Sequence, residues 1–179
     1  MNKYSQVILT LITMIVLSSC SNDFLERDPN GVLTENQYVI SPDAALKLVT
    51  SCYQPMLDGW GYTVNKIAVG EEVVDNANGG GSDPGDRPQT FEVGTGRPLP
   101  SNALLFETWN NRYRGIGKCN VALDAFERNG ERFIENGLSP EDLARFVSEV
   151  KFLRAWYYFD LITVFKEVPL VLTVESPDT

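Results

Sequence analysis

The segment of residues 149–171, "EVKFLRAWYYFDLITVFKEVPLV", decides the fold. It carries four consecutive aromatics, Trp156 to Phe159, within a run whose apolar residues recur at helical spacing. The stretch before it, "LSPEDLARFVSEV" at 138–150, supplies a helix start. Ser139 is an N-cap, Pro140 suits the first helical position, and Glu141 and Asp142 complement the dipole. The helix is expected to run to about Phe165 and to stop before Pro169. Val150, Leu153, Tyr157, Leu161 and Val164 share one face; Phe152, Trp156 and Phe159 lie nearly opposite, with Tyr158 and Ile162 between. A helix apolar almost all round is expected to be buried among several neighbours. Lys151, Arg154 and Asp160 interrupt it too often for a membrane span. Arg154 falls on the mostly apolar face. It needs a carboxylate or carbonyl partner from another segment, and its loss should lower stability rather than ligand binding.

Working outward, a second long helix is predicted from Ser101 to about Phe126. Leu105, Trp109, Tyr113, Ile116, Cys119, Leu123 and Phe126 recur three or four apart, with Arg112, Lys118, Asp124 and Glu127 interleaved. Gly115 and Gly117 permit either a close helix approach or a bend. "NGERFIENG", 129–137, reads as the connection between the two long helices. An earlier helix is predicted over about 42–54. Ser41 caps it, Pro42 and Asp43 open it, and Ala45, Val49, Cys52 and Met56 mark its apolar side. Between these helices, "DGWGY" at 58–62 is a turn, and "VNKIAVGEEVVDNA" at 64–77 suits either a short helix or irregular chain. Residues 78–100, rich in Gly and Pro, read as a long loop, and loops of this length in compact domains usually serve function or move.

With 179 residues, 43% of them hydrophobic and 22% charged, the chain suits one globular domain. A net charge of −9 without a basic cluster argues against a nucleic-acid partner. No histidine is present, which removes Ser-His-Asp triads and His-dependent zinc sites. The N-terminus, "MNKYSQVILTLITMIVLSSC", has Lys3, an uncharged run from Val7 to Leu17, and then small residues. That is a secretory signal pattern, too short to span a bilayer comfortably. Its end, Leu17-Ser18-Ser19-Cys20, is similar to a bacterial lipobox, with Cys20 as the lipid-modified residue; the other reading is an ordinary signal followed by a chance cysteine. The expected layout is a signal peptide at 1–19, a lipid-anchored tether at 20–40, and a helical domain at 41–179. Cys52 and Cys119 both fall on apolar helix phases, as buried free thiols do, although an exported protein could also join them.

Four markers, in order, resemble the SusD/RagB family of Bacteroidetes surface lipoproteins. After the lipobox comes a segment like "DFLERDPNGVLTENQY", then "DAALKLVTSCYQPML", a helix ending in Tyr. "WNNRYRGIGKCNVAL" follows, and then Glu149, Leu153-Arg154-Ala155, Tyr157-Tyr158-Phe159 and the exit Val168-Pro169-Leu170. The family usually has Gly before that exit, where this chain has Lys166 and Glu167. The resemblance implies a mainly α fold of tetratricopeptide-like helix pairs with long irregular loops, of which this chain is an incomplete N-terminal portion, members being a few times longer. It also implies a lipid anchor at the outer-membrane surface, an oligosaccharide ligand, and a SusC-like TonB-dependent transporter as partner.

Catalysis is not expected. Glu71, Glu72, Asp75 and Asp83 supply carboxylates, but no nucleophile and base are paired, and neither a cofactor nor a metal is called for. Sugar rings stack on aromatics while polar side chains bond the hydroxyls. Trp60 and Tyr62 in the Gly-flanked turn, with Asp75, Asn76 and Arg87 near the loop, are therefore the candidate ligand-binding residues. The plain alternative is that Trp60 packs on a helix and the polar groups are solvated. The competing functions are a helical-repeat lipoprotein that binds a protein or peptide, and a remnant without ligand binding.

Overall fold

The computed structural model describes Tyr4 and residues 41–74, 76–77, 82–83 and 85–174. The chain divides into two units, Met1–Gln37 and Tyr38–Thr179. Apart from Tyr4 the expected signal lies outside the described residues, as do Cys20, the tether and Asp75. The second unit is built from helices, with no strand among its described residues.

Helix α1, Pro42–Tyr53, starts as its sequence dictates: Ser41 Oγ accepts from the Ala44 N–H at 3.2 Å. Ala45, Val49 and Cys52 face the core. A 3₁₀ turn, Gln54–Leu57, follows, and then a helical segment where a turn at 58–62 was expected and 64–77 stood open between helix and irregular chain. Residues 59–72 wind as π-type turns, Gly59–Val64 and Ala68–Glu72, around a short α stretch, Asn65–Ile67.

Part of the expected loop is helical. Helix α2, Pro88–Gly94, begins on Pro88 and buries Val93 against Ala68 and Leu104, a small second core that outweighs the local Gly and Pro signals. Helix α3, Ala103–Glu135, is longer than predicted. "NGERFIE" is its last two turns rather than a connection. Asn129 takes non-helical angles and bends the helix, which swings Phe133 into the core beside Phe126, ring centroids 5.7 Å apart. Helix α4, Pro140–Phe165, keeps its predicted start, with Ser139 Oγ accepting from the Asp142 N–H at 3.0 Å.

α3 and α4 pack closely because Gly115 lies against the Tyr157 ring. A Cβ there would sit 2.4 Å from a ring carbon, so of the two readings of this glycine the close approach holds. Tyr157 is fully buried, and its hydroxyl donates to the Cys52 carbonyl at 2.7 Å, joining α4 to α1. Cys52 and Cys119 are buried free thiols. Contact with the Cys52 thiol, together with burial, pushes Cys119 far above the usual thiol range, so it stays protonated and unreactive.

The expectation of all-round burial for α4 is corrected. Val150, Leu153, Tyr157 and Leu161 are core, but Phe152 and Phe159 are 66% and 54% exposed, and Trp156 is also exposed. They form an aromatic row along the outer face, with centroid spacings of 6.5 and 6.1 Å.

Beyond α4 the chain turns back through Lys166 and runs as a strap, residues 168–174, over the seam between α3 and α4. Tyr113 Oη donates to the Pro169 carbonyl at 2.7 Å. Tyr158 Oη both donates to the Val171 carbonyl and accepts from its N–H, at 2.9 and 2.7 Å. Arg154 donates to the Leu172 carbonyl at 3.2 Å and to Asn120 Oδ1 at 2.9 Å, the carbonyl partner from another segment that its position required.

Candidate functional site

Asp58 sets the geometry of the turn that carries Trp60. Its Oδ1 accepts from the Trp60 and Gly61 N–H groups at 3.2 and 2.9 Å, capping the helical segment. Its Oδ2 accepts from Asn111 Nδ2 at 3.3 Å and from Arg114 at 3.1 Å, which ties the turn to α3. The Gly61 N–H, with help from Asn111, Trp60 and Arg114, holds the Asp58 carboxyl below its ordinary value. Gly61 is required here, because a Cβ would lie 2.6 Å from Asp58 Oδ2.

Trp60 is 60% exposed, and the Arg87 guanidinium lies over its ring, 5.3 Å from the centroid. Arg87 caps α2 from a left-handed conformation, φ 68° and ψ 58°. Between them opens a cleft of about 220 Å³, lined also by Gln89, Thr90 and Glu107. An apolar face with amide, hydroxyl, carboxylate and guanidinium groups around it suits a polyhydroxylated ligand. Burial raises the Glu72 carboxyl while the Arg87 charge opposes the shift.

Tyr62 does not join Trp60. It faces the other way, into a second cluster that includes residues sequence reading did not single out as a site. Its hydroxyl accepts from Trp156 Nε1 at 2.6 Å, and its ring covers the Arg112 guanidinium at 4.5 Å. Arg112, one of the charges interleaved along α3, is 2% exposed. It donates to the Gly61 carbonyl at 2.5 Å and lies 3.7 Å from Asp160 Oδ2. Lys66 completes the group, 2.8 Å from Asp160 Oδ1 and 4.8 Å from the Trp156 centroid. Burial lowers the Arg112 pKa, and the Asp160 charge opposes that shift. This cluster fastens the helical segment to α3 and α4 and borders a cavity of about 440 Å³. One signal was available: Arg112 lies in phase with buried Thr108, Ile116 and Cys119.

Asn76 is exposed and donates to Glu71 Oε2 at 3.2 Å, apart from either group. Of the candidate residues, then, Trp60 and Arg87 share a cleft; Tyr62 and Asn76 do not line it.

Comparison with known proteins bears on the second half of the chain. Residues 98–178 match the SusD-like family described as "Starch-binding associating with outer membrane". This stretch of the chain is SusD-like. No curated protein and no solved structure matches the chain. The SusD-like stretch includes α3, α4 and the strap, and with them Arg112, Tyr157 and Asp160. Trp60, Tyr62 and Arg87 precede it. The match thus covers the two long helices, and the cleft is lined jointly by Glu107 of that stretch and by Trp60, Arg87, Gln89 and Thr90 before it.

Proposed function

We propose that this chain is a surface lipoprotein that captures oligosaccharides and passes them to a SusC-like TonB-dependent transporter in the outer membrane. The observation that carries the reading is the exposed Trp60 with Arg87 over its ring at the edge of a polar cleft, on a scaffold of a starch-binding family. A sugar would stack on Trp60 and take hydrogen bonds from Arg87 and Gln89. Cys20 would carry the lipid anchor, each buried CH₂ contributing about 0.8 kcal/mol to membrane attachment. The reading is of capture rather than hydrolysis: Glu71 and Glu72 are adjacent in sequence, and neither lines the Trp60 cleft.

The test is binding of starch-derived oligosaccharides to the chain by calorimetry. Trp60→Ala should weaken binding about tenfold, equivalent to about 1.4 kcal/mol. Asn76→Ala should change it little. Undiminished affinity in Trp60→Ala would remove the cleft from the reading. Co-purification of a TonB-dependent transporter that is lost with Cys20→Ala would support delivery at the membrane.

A further inference from the structure

The seam between α3 and α4 holds the strap in an unusual way. Among the described residues no strand pairs with 168–174; side chains from the two helices take the strap's main-chain groups one by one. Asn120 Nδ2 donates to the Val171 and Thr173 carbonyls at 3.0 and 3.1 Å, beside the contacts from Tyr113, Tyr158 and Arg154. Tyr113 and Asn120 are seven residues apart on α3, about 10 Å at 1.5 Å per residue. The strap covers that distance between Pro169 and Thr173, a rise that helical chain does not supply. Because the contacts go to carbonyls and one N–H, the seam reads backbone and tolerates sequence.

The seam does not end with the strap. It continues into an open cleft of about 470 Å³, which Asn120, Arg154, Leu172 and Val174 border at the strap end. Leu123, Leu143 and Val147 form its apolar floor, Glu127 one rim on α3 beside Asp124, which is paired with Arg128, and Lys151 the rim on α4. We propose that this cleft docks an extended peptide segment of a partner protein, laid in line with the strap. The partner segment places alternate apolar side chains on the floor, a basic residue toward Glu127, and an acidic one toward Lys151. Three observations favour a peptide over other occupants: the same seam already holds non-helical backbone, the cleft is continuous with that seat, and its two rims are opposite in charge. The inference is independent of oligosaccharide capture at Trp60, which lies outside the lining of this cleft.

The test pans a displayed random dodecapeptide library on the full chain and synthesises the enriched sequences. The expected hits bind in the micromolar range, lose at least about tenfold in affinity with Lys151→Glu, and lose binding with Val147→Asp. Amide exchange with a bound hit should slow across residues 120–127 and 143–154, a readout on the unaltered chain that does not depend on either variant folding. Starch-derived oligosaccharide should not displace the peptide. The proposal is overturned if no sequence is enriched, if hits bind both variants as tightly as the parent, or if protection falls on another face. Displacement of the peptide by oligosaccharide overturns it as well.

Discussion

Asp58 closes the turn after α1 with its N–H on the Pro55 carbonyl, and its one carboxylate caps the next helical segment and bonds α3 through Asn111 and Arg114. Its folded pKa is depressed, chiefly by the Gly61 N–H. The stability it contributes is therefore present above the unfolded value, about 3.9, and is lost as pH falls below that toward the folded value. Asp58→Asn keeps a capping oxygen, so at neutral pH it should cost only about 0.5 kcal/mol. The gap between the two proteins should close as pH falls from 5 to 2, measured as melting temperature. Parallel curves would show that the carboxylate contributes no pH-linked stability. Residues such as Arg112 and Asp160 mark the limit of reading at this scale. Sequence reading noted them only as charges within the two long helices, yet their helical phase with Ile116 and Tyr157 puts them inside. Burial becomes tolerable only because Gly61, Tyr62 and Lys66 arrive from a segment about fifty residues before Arg112.

At the scale of elements, both ends of α1 and α4 were legible, while the end of α3 and the whole of α2 were not. Ser41 and Ser139 cap α1 and α4 as their sequences predict, because capping is a contact across three residues. The last turns of α3 and the whole of α2 were hidden by Asn, Gly and Pro, whose local preference yields once Phe133 and Val93 are buried. The turn after α4 bears on the departure from the family pattern. Lys166 itself adopts the conformation expected of glycine, φ 64° and ψ −80°, close to a strained γ-turn. Such a position costs on the order of 1–3 kcal/mol for a residue with a Cβ, partly offset by the greater freedom of unfolded glycine. Lys166→Gly should raise stability by about 1 kcal/mol in denaturant titrations at pH 7. An unchanged or lower midpoint would show that the turn carries no such strain.

For the whole molecule, the outer row of Phe152, Trp156 and Phe159 is the largest departure from expectation. The 179-residue chain should bind a hydrophobic fluorescent dye in its native state, and replacing Phe152 and Phe159 together by Lys should reduce the emission severalfold at unchanged helicity. Equal emission would place the dye elsewhere. The aromatic composition of that helix, its register and its membership in a helical scaffold were determined by sequence alone, since periodicity and capping are local. So were the exclusion of histidine chemistry and the likeness of the helical scaffold to SusD-like proteins. Tertiary structure decided which of the two apolar faces of α4 is core, through the close approach at Gly115. It also decided that Trp60 pairs with Arg87 while Tyr62 turns toward Trp156. These outcomes depend on contacts between residues tens to about a hundred positions apart, and such contacts leave no periodic trace in the sequence.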